Sequence, residues 1–223
     1  MTHRIKVLLL AMMAMMAMGA ISASGAHAVT EFHSHLEKTT LTASQDGTGK
    51  TAHQVFDAGQ AASITCQTVS GHATTSLKTV TTVQLTNIVY GGDCTYSTGG
   101  GATIDMNGCS YTFLSHGGAP NPGRVTIDCP VGSKIEVTGP CLVKIGAQGP
   151  LNSLKYHNIG STADNTTQVT VEPNVTGIHY EASGIGCVKT GTGTDGAYTT
   201  GNAVVTGEVD QLSGGAMTSV WWS

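Results

Sequence analysis

Apolar and polar residues alternate along most of the chain in short segments, and glycine, proline or asparagine separates these segments. The clearest example is residues 124–129 (RVTIDC), where Val125, Ile127 and Cys129 fall on one side of an extended strand and the polar residues on the other. No segment repeats apolar residues at intervals of three and four over about a dozen positions, as an amphipathic helix would. The chain is therefore predicted to be all-β, an antiparallel β-sandwich or a Greek-key barrel.

The same alternation places the other predicted strands. They are expected at residues 39–43, 53–57, 61–68, 74–78, 83–90, 103–106, 109–114, 134–138, 141–145, 168–172 and 177–181. Gly201 and Asn202 stand between two further segments, 198–200 and 203–205, and such a dipeptide supplies the positive φ of a tight hairpin. We therefore expect these two segments to pair with each other.

The first residues have the composition of a secretory signal peptide. Arg4 and Lys6 precede an apolar segment that ends near Ala20, and small residues follow up to Ala28. The apolar segment is shorter than the roughly 20 residues of a membrane-spanning helix. We expect residues 1–28 to be removed on export.

The remaining residues, 29–223, are predicted to form a single secreted β domain without a transmembrane segment, and a break near 120–123 is the alternative. The chain carries a net charge of −4, and only 11% of its residues are charged. Without a basic patch, binding to nucleic acid or to an anionic membrane surface has no electrostatic basis. We also expect no cofactor.

Six cysteines follow the predicted cleavage site, and an even number in an exported chain predicts disulfides rather than free thiols. Their spacing does not match a structural zinc site. Cys129 and Cys141 are both expected on the core-facing side of neighbouring strands, so we pair them with each other. The remaining pairs are predicted as Cys66 with Cys94 and Cys109 with Cys187.

Residues 31–38 (EFHSHLEK) place two histidines, His33 and His35, on one face of a predicted strand. Alternate strand residues lie about 6.5–7 Å apart at Cα, a span over which two imidazoles can bind the same ion. A catalytic zinc needs a third protein ligand, and no spacing selects one. The candidates are His53, His72, His116, His157, His179, Asp93 and Asp105. The pattern favours the polar face of an N-terminal strand, and a metal site is the alternative.

A secreted hydrolase, with or without a metal at His33 and His35, is the alternative function. Paired carboxylates for such chemistry are available at outward positions of predicted strands, namely Asp128, Glu136, Glu172 and Glu181. Outward acidic residues are in most cases solvated surface charges. The chain lacks a Gly-x-Ser-x-Gly motif, and paired cysteines leave no thiol nucleophile. The sequence therefore identifies no catalytic residue.

Two neighbouring residues, Trp221 and Trp222, are the tryptophans of the chain. Consecutive strand residues face opposite ways, so at most one ring is expected in the core, and an exposed ring could bind a sugar or a protein. Residues 115–123 (SHGGAPNPG) are the expected connection between two strands and could form a binding loop.

Three segments resemble a set of uncharacterised exported proteins of soil actinobacteria: 107–113 (NGCSYTF), 125–137 (VTIDCPVGSKIEV) and 141–148 (CLVKIGAQ). The similarity extends over about residues 32–205 and lies mainly in the order of cysteines and strands. It implies export and an intact disulfide framework, and it transfers no activity, ligand or site. From the sequence we expect a non-enzymatic extracellular binding or structural protein, with a cell-surface polymer or another protein as its partner.

Overall fold

The computed structural model describes residues 31–34, 40–45, 54–115, 123–159, 168–199, 203–208 and 220–222. The regular structure in these residues is β-strand, and neighbouring strands run antiparallel, as predicted. The strands are β1 (Phe32–Ser34), β2 (Thr40–Gln45), β3 (Gln54–Asp57), β4 (Ser63–Cys66), β5 (Thr68–Thr74), β6 (Thr79–Val80), β7 (Thr82–Gly91), β8 (Thr95–Tyr96), β9 (Thr103–Asp105), β10 (Ser110–Leu114), β11 (Gly123–Asp128), β12 (Ile135–Thr138), β13 (Leu142–Ile145), β14 (Gln148–Ile159), β15 (Gln168–Ser183), β16 (Gly191–Thr199), β17 (Ala203–Glu208) and β18 (Val220–Trp222).

Eight strands close into a ring that we call the lower ring. Their spatial order is β2, β5, β7, β10, β11, β14, β15, β17, and β17 pairs with β2 to complete the ring. The spatial order is also the chain order, so the lower ring is an up-and-down barrel. The remaining strands, apart from three that form a small separate sheet, are inserted between these and build the second half of the molecule.

The inserted strands and part of β15 form an upper ring, which again follows the chain order: β3, β4, β8, β9, β12, β13, β15, β16. Between β8 and β9 the ring is completed by a bridge from Thr95 of β8 to Gly101, which precedes β9. β15 belongs to both rings, because Gln168–Pro173 pair with β14 and Leu142–Lys144 of β13 pair with Glu181–Ser183. The molecule is thus one elongated barrel of eight long strands, and we call the level where the two rings meet the midline.

A three-stranded sheet of β18, β1 and β6 lies against the lower ring. Phe32 at its centre is paired with Val80 on one side and Trp222 on the other. The Phe32 ring meets the Tyr156 ring of β14 edge to face, with the ring centroids 5.0 Å apart. This contact joins the small sheet to the hydrophobic core of the barrel.

Apolar side chains fill both rings in a single connected core. The predicted alternation is confirmed where it was clearest: Val125 and Ile127 on β11 are buried, as are Ile135 and Val137 on β12. Burial of this apolar surface is the main stabilising contribution to such a fold, at about 25 cal/mol for each Å² removed from water.

Gly123, the first residue of β11, has room for no side chain. A Cβ atom at this position would lie 2.2 Å from the Tyr156 ring. We expect Gly123→Ala to lower the free energy of unfolding by about 2 kcal/mol, as overpacking of a filled core does. Gly146→Ala is the matched control, because nothing lies within 4 Å of its Cβ position. Urea denaturation measures both changes, and equal stabilities of the two variants would show that Tyr156 does not pack on Gly123.

All six cysteines are in disulfides, as predicted, but two of the three predicted pairs are wrong. Cys66–Cys94 is confirmed, whereas the other two bonds are Cys109–Cys129 and Cys141–Cys187 rather than Cys129–Cys141 and Cys109–Cys187.

The strand register explains both the confirmed bond and the two errors. Thr65 pairs with Thr95, which brings Cys66 beside Cys94, and Ser110 pairs with Asp128, which brings Cys109 beside Cys129. Cys129 lies at the midline after β11, whereas Cys141 precedes β13, on the far side of β12. A disulfide requires Cα atoms within about 7 Å, so these two bonds join neighbouring strands. Cys141, just before β13, bonds to Cys187 in the connection that follows β15, the neighbour of β13.

Several strand predictions are also corrected. The strand predicted at 74–78 is instead β5, Thr68–Thr74, and the two strands predicted at 168–172 and 177–181 are one continuous strand, β15. Pro173 pairs with Leu154 at the end of the contact between β14 and β15, so the proline interrupts the pairing without ending the strand.

The hairpin predicted across Gly201 and Asn202 is wrong. β16 and β17 do not pair with each other within the described residues; β16 pairs with one part of β15, and β17 pairs with another. Gly201 and Asn202 themselves lie outside the described residues. Both strands run antiparallel to β15, beside successive parts of it, and so do not form a hairpin with each other.

Candidate functional site

The midline of the barrel contains an apolar cavity of about 100 Å³. Both rings contribute to its wall. The lower ring supplies side chains such as Val125, Leu154 and Val171, and the upper ring supplies Ile135, Ile145 and Ile178. These six side chains are all buried. The cavity therefore lies inside the core, where the cross-section of the barrel changes from one ring to the other.

None of the described residues that line the cavity is charged. Its polar side-chain groups are the hydroxyls of three tyrosines, Tyr90, Tyr111 and Tyr198, whereas Ser70 at its wall is exposed. An apolar cavity with a few converging polar groups is the usual form of a small-molecule site.

The three tyrosines come from three different strands and meet at the midline. Tyr90 on β7 and Tyr111 on β10 place their hydroxyl oxygens 2.9 Å apart, within hydrogen-bonding distance. The Tyr198 hydroxyl on β16 is hydrogen bonded to Tyr90. We call Tyr90, Tyr111 and Tyr198 the tyrosine cluster.

Strand alternation explains why these polar rings point inward. Tyr111 is the register partner of Leu85 and Ile127, both of which are buried, and Tyr198 is the register partner of buried Phe56. Cross-strand partners lie on the same face of a sheet. Each phenol therefore brings a hydroxyl into the apolar core, where it needs a hydrogen-bonding partner.

Burial is the main cause that raises the pKa of all three phenols well above the usual value of a tyrosine. The rings nevertheless keep some accessible surface. All three tyrosines line the cavity, so part of their accessible surface faces it. At neutral pH the cluster is uncharged, and each hydroxyl can both donate and accept a hydrogen bond.

A smaller space of about 30 Å³ adjoins the same tyrosines. Its wall includes all three members of the cluster together with Ile104 and Val137 of the upper ring. A water molecule needs at least about 10–15 Å³, so this space is large enough for a small polar group. The three tyrosines thus line both a larger apolar space and a smaller one.

The structure describes only half of the predicted histidine pair. His33 lies on β1, and its Nδ1 atom is 3.2 Å from Thr79 Oγ1 of β6. His35 lies outside the described residues, as do His53 and His116. The described histidines, cysteines, aspartates and glutamates include no group of three that could hold a metal ion. Metal binding by His33 and His35 stays a prediction.

The four carboxylates considered for hydrolysis all lie on strands, and each contacts another polar side chain. Lys144 donates to Glu136 at 2.7 Å, Lys134 donates to Glu181 at 2.8 Å, and His157 lies 3.4 Å from Glu172. Hydroxyls of Thr112 and Thr126 donate to Asp128 at 2.6 and 3.0 Å. The Lys134 hydrogen bond lowers the pKa of Glu181, so this group is ionised at neutral pH and suits ion pairing rather than acid catalysis.

An open polar groove of about 280 Å³ runs across the outside of the upper ring. Among the described residues that line it, Glu181 is the carboxylate, and Lys134, Lys144 and His179 also border it. Glycoside hydrolysis needs two carboxylates across the bond that is cut. The groove therefore offers one of the two groups.

Trp221 and Trp222 lie on β18, where they are the register partners of His33 and Phe32. Their side chains are outside the described residues, as is most of the 115–123 connection. The strands that this connection joins, β10 and β11, do pair with each other, as predicted. A binding role of the two tryptophans stays a prediction.

The tyrosine cluster is not among the residues that the sequence singles out. A signal was nevertheless present, since Tyr111 occupies an inward position two residues before Phe113 in an alternating strand. What the sequence does not contain is the register that brings β7, β10 and β16 to one level.

Comparison of the chain with protein-family models, with curated proteins and with solved structures found no significant match. Within the described residues, no helix has the length and apolar character needed to cross a membrane.

Proposed function

We propose that this protein is a non-enzymatic, extracellular binding protein whose ligand is a small, largely apolar molecule held in the midline cavity. The observation that carries the proposal is the cavity itself, about 100 Å³ of apolar space within the hydrophobic core, lined by apolar side chains and three tyrosines. Protein interiors are close-packed, and an empty space of this size costs stability unless something occupies it.

The size of the barrel supports this proposal. An eight-stranded barrel has an interior that is either filled by side chains or just wide enough for one small ligand. Here buried side chains of both rings surround a space of about 100 Å³ at the midline. An apolar cavity of about 150 Å³ takes up benzene, so this smaller cavity of about 100 Å³ is expected to take an apolar group no larger than benzene.

The three disulfides support an extracellular location, because such bonds persist in oxidising compartments. They also fit a role that needs a fixed cavity, since each bond ties together two neighbouring strands of the barrel. A rigid, preformed site loses little conformational entropy when its ligand binds.

We expect benzene to bind the folded protein and to raise its thermal stability in a concentration-dependent way. A ligand that binds the folded state alone stabilises it by about 2.7 kcal/mol at a free concentration of 100 Kd. Thermal denaturation followed by circular dichroism at increasing benzene concentrations measures the effect.

The control is a matched pair of substitutions. Val175→Phe adds an aromatic ring to the wall of the cavity, and we expect it to remove the stabilisation by benzene. Val89→Phe makes the same change on an outward position of β7, where the side chain is 60% exposed, and should leave the benzene effect unchanged. If benzene stabilises neither the parent protein nor Val89→Phe, the cavity is not a ligand site.

A further inference from the structure

We infer that the ligand of the midline cavity is neutral and carries one oxygen group, a hydroxyl or a carbonyl, that hydrogen bonds to the tyrosine cluster. This inference rests on the proposed function, since it names the class of molecule that the cavity takes. It is carried by the position of Tyr90, Tyr111 and Tyr198, which border both the cavity and the smaller space beside it.

The first step of the argument is the hydrogen-bonding capacity of the cluster. Each phenol has one proton to donate and an oxygen that can accept. Tyr90 is bonded to Tyr111 at 2.9 Å and also to Tyr198. The Tyr90–Tyr111 bond can run in either direction. When Tyr111 donates to Tyr90, both lone pairs of its oxygen are available to a ligand hydroxyl, and when Tyr111 accepts, its own proton is available to a ligand oxygen. The cluster can therefore donate to and accept from a ligand oxygen.

The second step is the shape of the two spaces. The larger one, about 100 Å³, matches an apolar body of the size of an aromatic ring, and the smaller one, about 30 Å³, matches a hydroxyl or carbonyl group. All three tyrosines of the cluster line both spaces. A ligand with an apolar body and one polar end would fill both spaces, and its oxygen would form a hydrogen bond with the tyrosine cluster.

The third step concerns charge. None of the described residues around either space is charged. A carboxylate or an ammonium group would lose its hydration there without gaining an ion pair, and that loss amounts to several kcal/mol. The cavity should therefore reject charged analogues of a ligand whose neutral form it accepts.

Three probes of nearly the same size test the inference: benzene, phenol and benzoate. We expect phenol to bind the parent protein at least as tightly as benzene at neutral pH, although water solvates phenol better. Benzoate should bind at least about 100-fold more weakly than phenol. Isothermal titration calorimetry gives the three affinities.

Tyr90→Phe and Tyr111→Phe remove one hydroxyl each and keep the ring. In either variant we expect the affinity for phenol to fall about tenfold relative to benzene, the loss that one buried hydrogen bond represents. Tyr156→Phe is the matched control, because its hydroxyl bonds to Leu114 O at 3.4 Å, away from the cluster. A variant that still binds benzene has an intact cavity, even if its free energy of unfolding has changed.

The outcomes separate the inference from the proposed function. If benzene binds but the ratio of phenol to benzene affinity is the same in all three variants, the inference is wrong and the binding function stands. Benzoate binding as tight as phenol binding would also overturn the inference. If none of the probes binds, the proposed function fails and the inference fails with it.

Discussion

Reduction of the three disulfides is expected to unfold the protein at room temperature. The bonds join residues 28, 20 and 46 positions apart in the chain. Closing loops of this size in the unfolded chain contributes about 3–4 kcal/mol for each bond. Together they amount to about as much as the 5–15 kcal/mol by which a typical domain is stable. Circular dichroism with and without dithiothreitol measures the loss of β structure.

Removal of one disulfide at a time tests both the stabilisation that the bond contributes and the identity of the paired cysteines. We expect the double variant Cys109→Ala with Cys129→Ala to lose about 3 kcal/mol, since it opens a short loop. In the single variant Cys129→Ser, alkylation and peptide mapping should find the new free thiol at Cys109. A free thiol at Cys141 instead would restore the pairing predicted from the sequence and would contradict the register of β10 and β11.

Alkaline pH is expected to unfold the protein cooperatively above about pH 11. The chain has six tyrosines, and the folded state raises the pKa of every one of them, with burial as the largest cause. For Tyr96 the pKa rises to about 12. In the unfolded chain the same phenols titrate near pH 10.

The direction of the pH effect follows from these raised values. Below about pH 10 the phenols are protonated in both the folded and the unfolded state, so their ionisation does not lower the free energy of unfolding. Between pH 10 and the pKa of the folded state, the folded protein holds more protons than the unfolded chain, so stability falls as the pH rises. In this range each phenol lowers the free energy of unfolding by about 1.4 kcal/mol per pH unit. Because several phenols contribute, the free energy of unfolding falls steeply over about one pH unit.

A spectroscopic titration checks this expectation. The ultraviolet absorbance of tyrosinate should stay low until circular dichroism shows unfolding, and both signals should then change together. The variant Tyr156→Phe removes one buried phenol and should make the pH dependence less steep. Tyrosinate absorbance that rises near pH 10 while the β signal persists would mean that the phenols are not buried as the structure has them.

The sequence predicts the strands of this fold better than their arrangement. Alternation identifies β11 and β12, because Val125, Ile127, Ile135 and Val137 lie at inward positions of strands that pair in register. It does not identify β14, whose first residues include Gly149 and Pro150, which are typical of turns. The pairing of β14 with β11 and β15 overrides this local preference.

The candidate site is harder to predict because it depends on the register between distant strands. Tyr90, Tyr111 and Tyr198 are far apart in the chain, and each of them alone looks like an ordinary inward aromatic residue. Their meeting depends on the pairing of β7 with β10 and on the closure of the ring through β16 and β3. The same reason explains the wrong disulfides, since sequence spacing does not show that Cys129 and Cys141 lie at different levels of the barrel.

The location of bound benzene tests the central claim of this account most directly. In an isotope-edited nuclear Overhauser experiment on the methyl-labelled protein, we expect benzene protons to contact the methyl groups of Val175 and Ile178, which line the midline cavity. Contacts confined to exposed methyl groups, such as those of Leu77 and Ile185, would contradict the claim, because they would place benzene on the surface and leave the cavity without a ligand.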